Sequence, residues 1–166
     1  MATKILVPLN RSDDSHEILP HIEKLIPTSE TQLVLFFITR PPRGMSFSVP
    51  DPGSDYALEP GGEPVDTPAH PIYAHQQEDS IQSEVEVHLL PTMRHLQEAG
   101  YAVSMQVCFG EDVVGEIVRT VKRDKIDMIA MSTRARVGML RFFFSNIADK
   151  VMQQVDIPVL LIHPKG

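Results

Sequence analysis

Residues Met131 to Asn146, MSTRARVGMLRFFFSN, close an apolar run (DMIAM) and open a segment of helical character. A loop that leaves a strand and enters a helix offers backbone N–H groups and the positive end of the helix dipole to an anion, most often a phosphate. Such loops carry glycine where the backbone must approach the ligand. Here those positions hold Ser132, Ala135 and Ser145, with Asn146 opening the helix and Arg134 and Arg136 adding positive charge. A non-glycine residue forced to positive φ costs about 1–2 kcal/mol, roughly tenfold in affinity. Ser132 and Ser145 escape that cost where φ is negative, and Ala135 offers no compensating polar contact.

Other side chains offer less. Cys108 stands beside Phe109 in an alternating apolar stretch, so it reads as a small core residue and not as a nucleophile. His70 and His75 flank a short stretch of the chain, and His88 and His95 lie two helical turns apart, too far for a ligand pair without others between them. No metal site is expected. The chain lacks Gly-x-Ser-x-Gly and Gly-x-x-x-x-Gly-Lys-Ser/Thr, and no acid–base pair is placed together by spacing. No catalytic residue is assigned; a weak ATPase is the most the pattern allows.

The elements that position the loop follow from periodicity. Lys4–Leu9 and Leu33–Ile38 are short apolar runs of the buried parallel type. Ser12 is a good N-cap, and Ile18, Ile22, Leu25 and Ile26 predict an amphipathic helix over about 13–26, kinked at Pro20. From about 41 to 75 no periodicity appears: eight of the fourteen prolines and four of the nine glycines fall between Pro41 and Pro71, which marks an insertion. A helix starting near Gln76 carries the stripe Ile81, Val85, Leu89, Met93 and Leu96, interrupted by Pro91 and ended by Gly100. Val103–Phe109 alternates as a strand, and a helix with Val114, Ile117, Val118 and Val121 inward follows Asp112. Strand 127–131, a helix from about Ser145 to Gln154 and strand 157–162 complete the chain. Of Phe142 to Phe144, two are expected under the sheet and one exposed.

Strands alternating with helices predict a single α/β domain: an open parallel five-stranded sheet in the order 3-2-1-4-5, with helices on both faces. Ligands in such sheets bind beyond the carboxyl ends of the strands at the switch point, which here means the loops after Leu9 and Met131. The chain has 166 residues and a formal net charge of −7, which argues against a nucleic-acid or anionic-membrane partner. One cysteine, no signal-peptide pattern and no long apolar stretch lead to the expectation of a cytoplasmic protein.

With these residues in view, the chain resembles the universal stress protein family. KILVPLNRSDDSHEILPHI is similar to the family's opening strand and helix, FGEDVVGEIV to its third-strand exit, and DMIAMSTRARVGMLRFFFSNIADKVMQQVDIPVLLIHP to its closing half. The resemblance implies an adenine-nucleotide alpha-hydrolase-like fold. It also implies a pocket formed by Pro8, Leu9, Asn10, Ile38, Met131, Ser132, Arg134, Ala135, Arg136, Ser145, Asn146 and Ile147. Nucleotide-binding members carry Gly-x-x-Gly, nine residues, then Gly-Ser or Gly-Thr. The spacing is intact here, each signature residue is changed, and the aspartate usual on the nucleoside side of the pocket is Asn10.

Two readings follow. One is a dimeric stress-response module that requires no cofactor and acts through protein contacts, with the 41–75 insertion capping the pocket or recruiting a partner. The other is a sensor or switch for ATP, ADP or AMP, with Mg, that uses the loop after the fourth strand. In both, the apolar edge strand Val159–Ile162 is expected to pair with its copy in a homodimer, as the matching strand does in the family. Residues near Val151 or Met152 would add apolar area.

Overall fold

Five apolar runs become strands: β1 (Thr3–Leu9), β2 (Thr31–Thr39), β3 (Ala102–Phe109), β4 (Met128–Ser132) and β5 (Val159–Ile162). They form one sheet in the order β3-β2-β1-β4-β5, each neighbour parallel, as the sequence predicts. This is a computed structural model, and it describes residues 2–40, 71–133 and 146–164, with the backbone alone for 71–74 and 146. Register runs from Thr3 opposite Thr31 to Leu9 opposite Phe37, and from Gln32 opposite Ala102 to Thr39 opposite Phe109. The carboxyl ends of β1, β2 and β4 therefore come out side by side.

Alternation along each strand divides the core between two faces. Ile5, Val7 and Leu9 of β1 join Leu33, Leu35 and Phe37 of β2 beneath Ile18, Ile22, Leu89 and Leu96. Leu6, Val34, Phe36, Ile129 and Met131 face the other way, beneath Ile117, Val121, Ala148 and Val151. Both faces are covered, which is why the strands read as unbroken apolar runs.

The helices are α1 (Asp13–His16), α2 (Ile18–Leu25), α3 (Pro71–Glu98), α4 (Val113–Asp124) and α5 (Asn146–Gln154). Several differ from their expected bounds. The helix foreseen over 13–26 is split at Glu17, so Pro20 lies in the first turn of α2, where a missing N–H costs no intrahelical bond. α3 begins at Pro71 instead of near Gln76, because proline suits the first turn of a helix. It also runs unbroken through Pro91, where an interruption was foreseen. Pro91 faces solvent, and the buried Leu89 and Leu96 hold the helix on either side of it. β5 starts at Val159 instead of Ile157, since Pro158 has no N–H for the ladder; its carbonyl accepts from Ile129 N at 3.0 Å.

Two helices end in left-handed turns. Gly100 (φ 105°) takes the C′ position after α3 as foreseen, with Gly100 N donating to Gln97 O and Tyr101 N to Leu96 O. After α4 the same place falls to Lys125 (φ 53°), and Ile126 N donates to Val121 O. At the start of α4 the Asp112 carboxylate accepts from Gly115 N at 3.0 Å and lies directly over that glycine, where a Cβ would collide with it. Among the described residues no helix is long and apolar enough to cross a membrane.

Candidate functional site

The turn after β1 is built by its own side chains. Asn10 Oδ1 accepts from Ser12 N at 2.7 Å, an Asx turn that sends the chain out of the strand. Ser15 is nearly buried; its hydroxyl receives Asn10 N at 3.0 Å and lies 2.9 Å from Ser12 O. Ser12 holds the N-cap position of α1, yet its side chain makes no capping bond, contrary to its expected role. Ser132, at the end of β4, donates its hydroxyl to Asp14 O at 2.6 Å and so ties β4 to α1. Thr133 N then donates to Ile162 O at 2.8 Å, binding the strand exit to β5. Among the described non-glycine residues positive φ occurs at Glu30 and Lys125, so Ser132 bears none of the strain a lost glycine could bring.

These exits surround a cleft of about 570 Å³, a size that suits a small organic ligand. Of the expected pocket residues, Pro8, Leu9, Asn10, Ile38, Met131, Ser132 and Ile147 line it together. Asn146 is described only as the backbone residue that opens α5; Arg134, Ala135, Arg136, Ser145 and the Phe142–Phe144 run lie outside the described residues.

Sequence reasoning missed Arg11, Thr39 and Arg40 at the mouth, Val113 and Ile117 from α4, and Thr133. No local pattern marks the α4 pair: it reaches the opening because β2 lies between β1 and β3 and Gly110 N donates to Thr39 O at 3.0 Å.

The walls are apolar where Leu9, Ile38, Met131 and Ile147 face inward, which suits a flat ring. Among the described lining residues two are arginines and none is a carboxylate, although the whole chain carries −7. Such a cleft attracts anions. Arg11 is held from outside by Glu84 of α3, Nη1 to Oε1 at 3.1 Å, with both side chains 62% exposed.

Cys108, near the end of β3, stands apart. Its thiol donates to Glu116 Oε2 at 3.2 Å, and burial, then the Glu116 hydrogen bond and charge, push it up to about 11. That is a protonated, inert thiol at neutral pH. Glu116 in turn is held below the usual carboxylate range by Arg119, with Cys108 adding to the effect. No group of three or more His, Cys, Asp or Glu side chains that could hold a metal occurs among the described residues.

The sequence as a whole matches the universal stress protein family over residues 1–163. A curated relative, universal stress protein Sll1388 of Synechocystis, is 25% identical over 162 residues, spanning 96% of each chain. Among solved structures, the hypothetical protein MJ0577 superposes with a TM-score of 0.71 at 16% identity, covering 100% of this chain and 99% of that one. A universal stress protein family protein from Arabidopsis thaliana, solved with AMP bound, gives a TM-score of 0.59 at 18% identity, covering 99% and 93%.

Proposed function

Because the chain belongs to the universal stress protein family, we propose that it is a stress-response module that takes an adenine mononucleotide in its switch-point cleft and pairs with a second copy through β5. One observation carries the ligand reading. The cleft at the carboxyl ends of β1, β2 and β4 is open, apolar along its walls, and lined by two arginines with no carboxylate among its described residues. The AMP bound to the Arabidopsis relative supports the same ligand class. Apolar walls would hold the base, and the start of α5 and the arginines would meet phosphate. Among the described lining residues no acid–base pair faces the cleft, and the reading is of a sensor.

Support for the dimer lies in β5, an edge strand of four apolar residues, each half-buried; Met152 of α5 is exposed as well. The residues expected to approach their mates are Val159 and Leu161.

Calorimetric titration of the full chain with AMP, ADP and ATP tests the ligand reading, the expected result being saturable heat with a matching rise in melting temperature. Absence of both at millimolar nucleotide would sink it. The reading left standing would be the nucleotide-independent interaction module, with the 41–75 insertion as its docking element. A specific observation favours that second reading: Ser132 and Asn10, the described positions where the family signature is changed, both spend side-chain atoms on internal hydrogen bonds.

A further inference from the structure

We infer that Glu84 of α3 masks Arg11 and so regulates how tightly the cleft holds a phosphate; this rests on the nucleotide reading above. Arg11 lines the cleft just after β1, the strand beside β4. Three residues on, Asp14 O accepts the Ser132 hydroxyl at the exit of β4, which ties the base of the Arg11 side chain to that side of the opening. Its guanidinium is drawn toward α3, the helix that packs against β3. Nη1 lies 3.1 Å from Glu84 Oε1, and Glu84 borders a second cavity of about 320 Å³ and not the cleft. Arg11 and Phe37 line both cavities and form the partition between them.

A guanidinium paired with a carboxylate presents a neutral pair to an anion in the cleft. The charge that would favour phosphate is then spent outside the site, and a phosphate must compete with Glu84 for it. The competition is mild. Both side chains are 62% exposed, and a pair of this kind holds its arginine for between about half and five-sixths of the time. Apparent affinity for a ligand that needs the free arginine falls by the fraction left free. α3 does not depend on this ion pair for its seat. Val85 and Leu89 are buried on either side of it in sequence, and the ring of His88 meets that of His16 edge to face, centroids 6.1 Å apart. Arg11 can therefore pass from carboxylate to phosphate with the fold intact.

The test is calorimetric titration of the full chain with AMP and with adenosine, which lacks the phosphate. Glu84→Gln should tighten AMP binding by about two- to sixfold and leave adenosine unchanged. Glu86→Gln removes the same charge from the same helix, at a carboxylate that accepts from Gln82, and should change neither. In an Arg11→Gln background, Glu84→Gln should no longer alter the affinity for AMP. Unchanged or weaker AMP binding in Glu84→Gln would overturn the inference and leave the nucleotide reading intact. An equal gain for adenosine or in Glu86→Gln would overturn it in the same way, as a general effect of charge. So would a gain that survives Arg11→Gln. No binding of AMP at millimolar concentration, to the unmodified chain or to Glu84→Gln, would overturn both.

Discussion

At one end of the sheet β3 lies along β2 for eight residues, with Val103, Met105 and Val107 turned to the α3 side. Its opposite face carries Ser104, Gln106 and Cys108 beside the charged residues of α4, where Glu116 meets Arg119 and Arg123 meets Asp124. At the other end β5 has four residues, Val159 and Leu161 joining one core and Leu160 and Ile162 the other. Both are edge strands of one parallel sheet. Polar groups on one face, with charge nearby, make β3 a poor template for another strand, whereas β5, exposed to a similar degree, presents apolar residues on both faces. The proposed dimer uses the apolar end of the sheet and not the polar one.

Four substitutions break or sharpen this contrast. The largest effect is expected at the β3 end, where Leu89 of α3 is fully buried against the sheet. Leu89→Ala should destabilise the fold by about 2–5 kcal/mol, read as a lower urea midpoint. At the β5 end Leu161→Lys should weaken the proposed dimer by about 2–4 kcal/mol. Sedimentation would then show a monomer where the unmodified chain shows a dimer, with a much smaller shift in urea midpoint than Leu89→Ala gives. An unmodified chain that sediments as a monomer at micromolar concentration would remove the contrast altogether.

The smallest effect concerns Cys108. Its folded value, about 11, lies above the ordinary 9.0, so the native state holds the thiol proton more tightly than the unfolded chain does. The resulting stability is fully present below pH 9.0 and is lost as pH climbs through about 11. Cys108→Ala should lack that part of the alkaline decline in unfolding midpoint. Near neutral pH, alkylation of Cys108 by iodoacetamide should be slow and should accelerate in Glu116→Gln, where the thiolate no longer faces a carboxylate.

Much of the architecture could be read from the sequence because the strands are buried on both faces and stand out as apolar runs. Ile81, Val85, Leu89, Met93 and Leu96 marked the inward stripe of α3, and all five pack in one core. The two prolines were harder. Pro20 and Pro91 each promise a disturbed helix, but whether the chain breaks or continues depends on neighbours the residue itself does not reveal. The chain breaks at Glu17, before Pro20, and restarts as α2 at Ile18; at Pro91 buried leucines keep α3 whole. The cleft divided in a similar way. Pro8, Asn10, Met131 and Ser132 lie where strands end, so topology located them. Arg11, Arg40, Val113 and Ile117 enter through the register of β2 with β3 and the turn of α1, which no local pattern encodes.

The cap on α4 constrains how this sequence can change. Asp112 reaches over Gly115, so the two positions accept substitutions only in a particular order. Gly115→Ala made first should destabilise the fold, because the new methyl displaces the capping carboxylate. Made after Asp112→Ala, which itself should cost about 0.5–2 kcal/mol, the same change should stabilise by about 0.5–1 kcal/mol, since alanine favours a helix over glycine. Urea unfolding of the two single variants and the double variant measures this reversal of sign. A lineage holding aspartate at 112 is thereby locked to glycine at 115, and sequence drift along α4 can reach alanine there only through a less stable ancestor.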